Sequence, residues 1–370
     1  MKPEVDVLVV GAGIVGLAAA AALARRGRSV LVLERREAIA RETTSRSSEV
    51  IHAGLYYPEG SLKALCCSEG RERLYARCEA LRIPHRALGK IVVAAAEEEI
   101  PRLEALARQA ERNGVPGLRW LGPAEVRARE PHVRAARAFL SPRTGIVDAH
   151  ALALSYAAEG EAHGVEIALR RELVGLERAP AGYRAFAREP DGGKAAFVAG
   201  AVVNAAGLAA DRVAALAGID ADAAGYRLHP CKGDYFSLAP GAPLRFAGLV
   251  YPLQGAAGLG IHVTLDLGGR VRLGPDAEYV PAPRYDVDPG KAARFAEAAG
   301  RYLPELRAEW LAPDSAGVRP KLAGPGVAFR DFVIAEESAR GLPGLVNLVG
   351  IESPGLTAAP AIAERVAALL

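Results

Sequence analysis

The chain has few cysteines, no basic block and no long apolar run, and each shortage removes a class of protein. Its 370 residues contain only four cysteines, Cys66, Cys67, Cys78 and Cys231. They form no C-x-x-C pair and no metal-ligand spacing, so free thiols in a reducing compartment are expected. Net charge is +3, with Lys and Arg spread along the chain. Without a basic cluster, nucleic acid is not expected as a partner. No stretch reaches the roughly 20 uninterrupted apolar residues of a membrane helix. The apolar start carries Asp6 and no basic flank, so it does not read as a signal peptide. These features place the protein in the cytoplasm, with peripheral membrane contact left open. Repeats and low-complexity tracts are missing too, and the length allows two domains with a sizeable core.

What is present is concentrated at the start. Asp6 to Val10 is a short apolar run that ends in Gly11-Ala12-Gly13-Ile14-Val15-Gly16. The run reads as a buried parallel strand. Gly11 permits the tight turn, Gly13 lets the backbone approach a diphosphate, and Gly16 lets the next helix pack close to the strand. Leu17 to about Arg26 is almost all Ala and Leu, a strong helix former, and its N-terminus suits an anion. Ser29 to Leu33 is a second strand. Glu34 and Arg35 stand at its tip, where a carboxylate accepts the ribose hydroxyls of a dinucleotide.

Further along, Thr43 to Ser48 is a polar cluster containing Thr44, Ser45 and Arg46, readable as a solvated loop or as diphosphate ligands. Ile51 to Gly60 packs His52, two tyrosines (Tyr56 and Tyr57) and two glycines into ten residues. Helices are expected over 62–81, 97–113, 123–130 and 149–163, and strands over 89–95 and 138–141. Val165–Leu169, Glu172–Glu177, Tyr183–Arg188 and Ala195–Val198 read as a small antiparallel meander. Ala201 to Gly207 is a separate buried strand followed by an Ala-rich helix. From Tyr226 the texture changes to short strands with Gly and Pro turns, including Gly233–Leu238, Leu259–Thr264 and Arg270–Pro275. Leu345–Gly350 and an Ala-rich helix over 357–370 return to the first texture. The resulting expectation is an α/β chain, α+β overall. A Rossmann-like nucleotide-binding domain is made of residues 1–84, 145–224 and 326–370. A mostly antiparallel β-sheet substrate domain is made of 85–144 and 225–325.

With these residues in view, the chain resembles the FAD-dependent oxidoreductases of the D-amino acid oxidase-like superfamily over essentially its whole length. Within it, the nearest likeness is to L-2-hydroxyglutarate dehydrogenases and oxidases. The stretches that carry this are Val50–Pro58 with Gly60–Ala64, Gly89–Ala94, Lys232–Phe236, Val250–Pro252, Gly260–Thr264, Gly274–Ala277 and Gly350–Thr357. The resemblance implies FAD held by Gly11, Gly13, Ile14, Val15, Gly16, Glu34 and Arg35, with Thr44, Ser45 and Arg46 near the pyrophosphate. It implies Val174 against the adenine, Ala206 and Gly207 along the cofactor, and His52, Ala53 and Gly54 beside the isoalloxazine. Gly350 ends the last strand, and Gly355, Leu356 and Thr357 open a helix aimed at the flavin N1–O2 edge.

Oxidation of a carbinol next to a carboxylate needs a carboxylate anchor, a base and a hydride path to flavin N5. Arg319, in the Gly317–Pro320 stretch, is the expected anchor, since a guanidinium can clamp a carboxylate through two bonds. The base is expected to be His52 or His262, and His52 is preferred for its glycine-flanked loop. A lone His on a strand, such as His262, is more often a satisfied core residue. Tyr56, Tyr57, Tyr235 and Tyr251 are candidates for a distal carboxylate, or ordinary amphipathic wall. Glycerol-3-phosphate dehydrogenases carry Gly-Leu-Arg-Tyr where this chain has Gly54-Leu55-Tyr56-Tyr57. The missing Arg weighs against a phosphate substrate. The expected partners are thus a small 2-hydroxy acid and an electron acceptor, either oxygen or a quinone or other carrier. The competing readings are a glycerol-3-phosphate dehydrogenase, an amine or amino-acid oxidase, an NAD enzyme on the same glycines, and a flavin-binding carrier without turnover.

Overall fold

The computed structural model describes residues 3–253 and 260–370. Five parallel strands form the centre of one eight-stranded sheet: Leu342–Val349, Lys194–Asn204, Val5–Val10, Val30–Glu34 and Glu166–Leu169, in that spatial order. They are apolar on both faces, as a sheet covered on both sides requires. Val7 and Val9 face one core with Val30 and Val32, while Leu8 and Val10 face the other with Leu33. The helix Ile14–Arg25 packs against the helices Ala149–Ala162 and Gly355–Leu369. It is enclosed on nearly all sides, which explains why small Ala side chains fill it rather than a polar stripe.

The meander read from the sequence is arranged differently. Val165 and its neighbours do not join it, because Glu166–Leu169 pairs in parallel with Val30–Glu34 at the opposite edge. Ala195–Val198 and Ala201–Asn204 are one continuous strand, Lys194–Asn204. Its first half pairs antiparallel with Gly182–Arg188, and its second half runs parallel beside Val5–Val10. A strand can change partners midway because each residue offers its bonds independently. Sequence period carries no mark of that change.

The second sheet has nine strands and one parallel pair, Leu249–Pro252 with Lys90–Ala94. Its longest pairing joins His229–Leu238 to Leu311–Lys321. The strand expected at Leu259–Thr264 is described only from Gly260, with His262–Leu265 in the sheet; Leu259 lies outside the described residues. One face of this sheet, through Ile91, Val93, Val250, Val263, Leu273 and Phe236, closes a core under the helix Ala292–Gly300. The other face looks toward the carboxyl ends of the parallel strands. No helix among the described residues is long and apolar enough to cross a membrane.

Candidate active site

The parallel strands end at Val10, Glu34, Asn204 and Val349, and a cavity opens there, as is usual for open α/β sheets. Gly11 has φ +104° and a Cβ on it would lie 2.7 Å from Ala205 O. A Cβ on Gly16 would lie 2.0 Å from Gly11 O. The first turn is therefore closed to any side chain at either position. Gly13 caps the helix with extended backbone. Thr44 Oγ1 accepts a hydrogen bond from Ile14 N, and Glu34 accepts from Ala12 N and Arg36 N. The polar cluster of the sequence thus folds back onto the helix start, whose remaining first-turn amides have no intrahelical partner.

One cavity of about 660 Å³ runs from this turn to the inner face of the nine-stranded sheet. Its size is that of a ligand pocket. Of the residues expected around a cofactor, Gly11, Gly13, Ile14, Val15, Glu34, Arg35, Thr44, Arg46, His52, Ala206, Gly207, Gly355 and Leu356 line it. Gly16, Ser45, Ala53, Gly54, Val174, Gly350 and Thr357 are not part of that lining. Several of these have structural work instead. Thr357 Oγ1 accepts from His52 N at 3.0 Å and donates to Val50 O, tying the last helix to the His52 loop. Ala53 O receives Arg71 Nη1, and Gly54 O receives Asn113 Nδ2. Leu173, next to Val174, lines the cavity in its place.

Tyr56, Tyr235, Tyr251, His262 and Arg319 line the same cavity at its sheet end. The register explains how. Leu249 pairs with Lys90, and Val250 pairs with both Ile91 and Val263. Cys231 pairs with Arg319 and Gly233 with Gly317. Alternation then puts Lys90, Tyr251, His262, Tyr235 and Arg319 on one face, opposite the apolar core of the other.

Arg319 is held by main-chain carbonyls. Nη2 donates to Asp276 O at 2.6 Å and Lys232 O at 3.3 Å, and Nε donates to Cys231 O at 3.4 Å. Both Nη1 hydrogens are left without a partner among the described residues, and no carboxylate pairs with the charge. His262 Nδ1 is 3.2 Å from Gly260 O. A carbonyl only accepts, so Nδ1 carries the hydrogen and Nε2 carries the lone pair. The ring stacks on Tyr251 with centroids 3.7 Å apart. Burial, then the Lys90 charge, hold His262 down at about 3. Burial, Lys90 and His262 likewise hold His52 well below the ordinary imidazole value. His52 Nε2 is 3.2 Å from Ser353 Oγ, a hydroxyl that can donate or accept.

Several groups at this end were not singled out from the sequence. Gln109 and Asn113 donate to the carbonyls of Leu55 and Tyr57, and Asn113 and Arg71 fix the residues just after His52. Lys63 makes a buried 2.9 Å ion pair with Glu352 on the cavity wall. Lys90 is buried beneath Tyr251. A charged residue opening the apolar run Lys90–Ala94 was the available signal.

A glycine turn closed to side chains, a helix start and a carboxylate stand at one end of the cavity, and at the other a guanidinium without a carboxylate partner among the described residues shares the wall with a tautomer-fixed imidazole. The FAD dependent oxidoreductase family, DAO, matches residues 6–369, and the chain belongs to that family. Among its relatives, the mitochondrial L-2-hydroxyglutarate dehydrogenase of Arabidopsis thaliana is 40% identical over 99% of this chain and 83% of its own length. The Homo sapiens enzyme of the same name is 37% identical over 74% of this chain and 60% of its own. Among solved structures, the dithionite-reduced L-alpha-glycerophosphate oxidase of Mycoplasma pneumoniae with FAD bound matches with a TM-score of 0.86 at 24% identity. That match covers 99% of this chain and 94% of the oxidase. Glycine oxidase from Geobacillus kaustophilus matches with a TM-score of 0.81 at 23% identity, over 100% and 95%. These structures share the fold, a Rossmann-like domain with an added sheet.

Proposed function

We propose that this FAD-dependent oxidoreductase oxidises an L-2-hydroxy acid, L-2-hydroxyglutarate, to its 2-oxo acid. The observation that carries this is the Arg319 guanidinium. It is fixed by three carbonyls, has no carboxylate partner among the described residues, and shares one cavity wall with His262. The relatives' names support the choice of substrate. The residues fit FAD: Gly11 and Gly13 would admit the diphosphate, Glu34 the ribose, and Gly355 and Leu356 the ring edge. When bound, FAD supplies the acceptor for the electron pair and hydrogen that leave the carbinol carbon. Arg319 Nη1 binds the carboxylate next to that carbon and fixes its orientation. His262 Nε2 takes the hydroxyl proton. Its tautomer is set by Gly260, whereas the Ser353 contact leaves that of His52 open, so the geometry favours His262 over His52 as base. The surrounding tyrosines exclude water. Reoxidation falls to oxygen or to a quinone or other carrier.

Anaerobic titration of the yellow protein tests the reading. L-2-hydroxyglutarate should bleach it, while glycine, sarcosine and glycerol 3-phosphate should not. Arg319→Ala should fail to bleach at the same concentration. His262→Asn should bind substrate and reduce roughly 10²–10⁴-fold more slowly. Normal bleaching by Arg319→Ala, or faster bleaching by glycerol 3-phosphate, refutes the proposal. Admitting oxygen or a quinone analogue to the bleached protein identifies the acceptor by the return of colour.

A further inference from the structure

Lys90 opens its strand with a side chain that is 1% exposed. Its ammonium makes no hydrogen bond or ion pair with any described residue. Nζ lies 3.7 Å from the centroid of the Tyr251 ring and 5.4 Å from that of Tyr56. The titratable groups that feel it are Tyr56, Tyr251, His52, His262 and Cys67, and none is a carboxylate. A buried cation without a counter-ion is costly, and burial pulls Lys90 down to about 7. The two rings it touches have a matching deficiency. Tyr56 and Tyr251 both line the cavity, and both hydroxyls are buried with no hydrogen-bond partner among the described residues. Along the sheet face the order is Lys90, Tyr251, His262 and then Arg319 across the strands beyond. The imidazole therefore stands between two cationic groups, each lacking a carboxylate partner among the described residues.

We propose that Lys90, acting through Tyr251 and Tyr56, is the positioning residue that makes this site select substrates with a second carboxylate, received at the end away from Arg319. This deepens the reading above and rests on Arg319 taking the first carboxylate. A cation against an aromatic face draws electron density from the ring, and the phenol O–H becomes a stronger donor. A carboxylate placed at the two hydroxyls satisfies both and supplies the charge that Lys90 lacks. A monocarboxylate of the same chain leaves all three groups unpaired, and a site built for hydrogen bonding rejects such analogues strongly.

The test is calorimetric binding of glutarate and butyrate to the FAD-loaded protein. These are unreactive and differ by the second carboxylate. Wild type should prefer glutarate by roughly tenfold or more. Lys90→Met should erase most of that preference while leaving the butyrate Kd within about twofold. Tyr251→Phe, which removes only a hydroxyl, should shift the ratio in the same direction by a smaller factor. An unchanged ratio in both variants overturns the proposal, and so does an equal weakening of both ligands, which marks a structural role. If L-2-hydroxyglutarate fails to bleach wild type but glutarate preference still depends on Lys90, only the choice of substrate falls. If bleaching is normal and the ratios do not move, only the present inference falls.

Discussion

Gly233→Ala isolates the position of Arg319 from its chemistry. Gly233 lies on the inner face of the sheet, directly beneath the guanidinium. A Cβ there would sit 2.6 Å from Arg319 Nη2, 2.6 Å from Pro275 Cβ and 2.9 Å from Asp276 O. The arginine tip could swing away at little cost by itself. Pro275 and Asp276 are less free, because Asp276 is tied to Asp234 through both its amide and its carboxylate and to Lys291, and Asp276 O is the acceptor that holds Nη2 at 2.6 Å. The methyl therefore pushes on the cation and on its anchor together. Overpacking of this kind costs about 1–3 kcal/mol. If that cost falls on the bound carboxylate, kcat/KM drops about 5- to 150-fold. The loss should appear mainly as a higher KM, with residual turnover intact, because the methyl enters the cavity wall at Arg319 and leaves His262 on its own strand. Gly300→Ala is the control, since a Cβ there meets nothing within 4 Å. Steady-state kinetics and thermal melts of the three proteins decide the matter. If Gly233→Ala keeps kcat/KM within about twofold of wild type while melting normally, the guanidinium is not held where the argument needs it.

Gly70→Ala should lower the melting temperature sharply and loosen the cofactor, because its Cβ would lie 2.2 Å from Thr357 O and 2.9 Å from Ala358 Cα, both backbone atoms of the facing helix. Thermal melting of the two proteins checks this, and an unchanged transition refutes it. Thr357→Val keeps the shape but leaves Val50 O and His52 N unpaired, at about 1–3 kcal/mol each, which denaturant unfolding should register. His262 titrates near 3 in the fold and near 6.5 when unfolded, so between those values the unfolded chain binds a proton that the native state refuses. Stability that is fully present above pH 6.5 is then lost on acidification, at up to about 1.4 kcal/mol per pH unit from this group. Urea midpoints measured from about pH 7 down to 5 should fall less steeply in His262→Asn than in wild type; equal slopes refute the shift. The acid limb of kcat/KM should correspondingly lie below the ordinary imidazole range.

The nucleotide end was legible because its physics is local. Gly11, Gly16 and Glu34 lie within one strand–helix–strand unit; Gly16 is demanded by Gly11 O and Glu34 is engaged by Ala12 N inside that unit, whereas the space at Gly11 is closed by Ala205 and Ala206 at the end of a distant strand. The sheet end was legible residue by residue but not as an arrangement. Tyr251, His262 and Arg319 come from three strands whose order depends on long-range pairing, and Lys90 reaches Tyr251 only because Leu249–Pro252 runs parallel beside Lys90–Ala94. Sequence period states which side chains share a face within a strand, but not which strands are neighbours. The role of Lys90 is hidden for the same reason. A lysine at the start of an apolar strand ordinarily marks its solvated end. Here the strand begins beneath Tyr56 and Tyr251, so the same residue becomes a buried charge. The ranking of the histidines turned on this too. His52 stands out in sequence because its neighbours are unusual, whereas His262 gains its free Nε2 from Gly260 and its neutrality from burial and from charges on other strands. A histidine whose protonation is set across strands leaves no local mark, so only the register brings His262 forward as the proposed base.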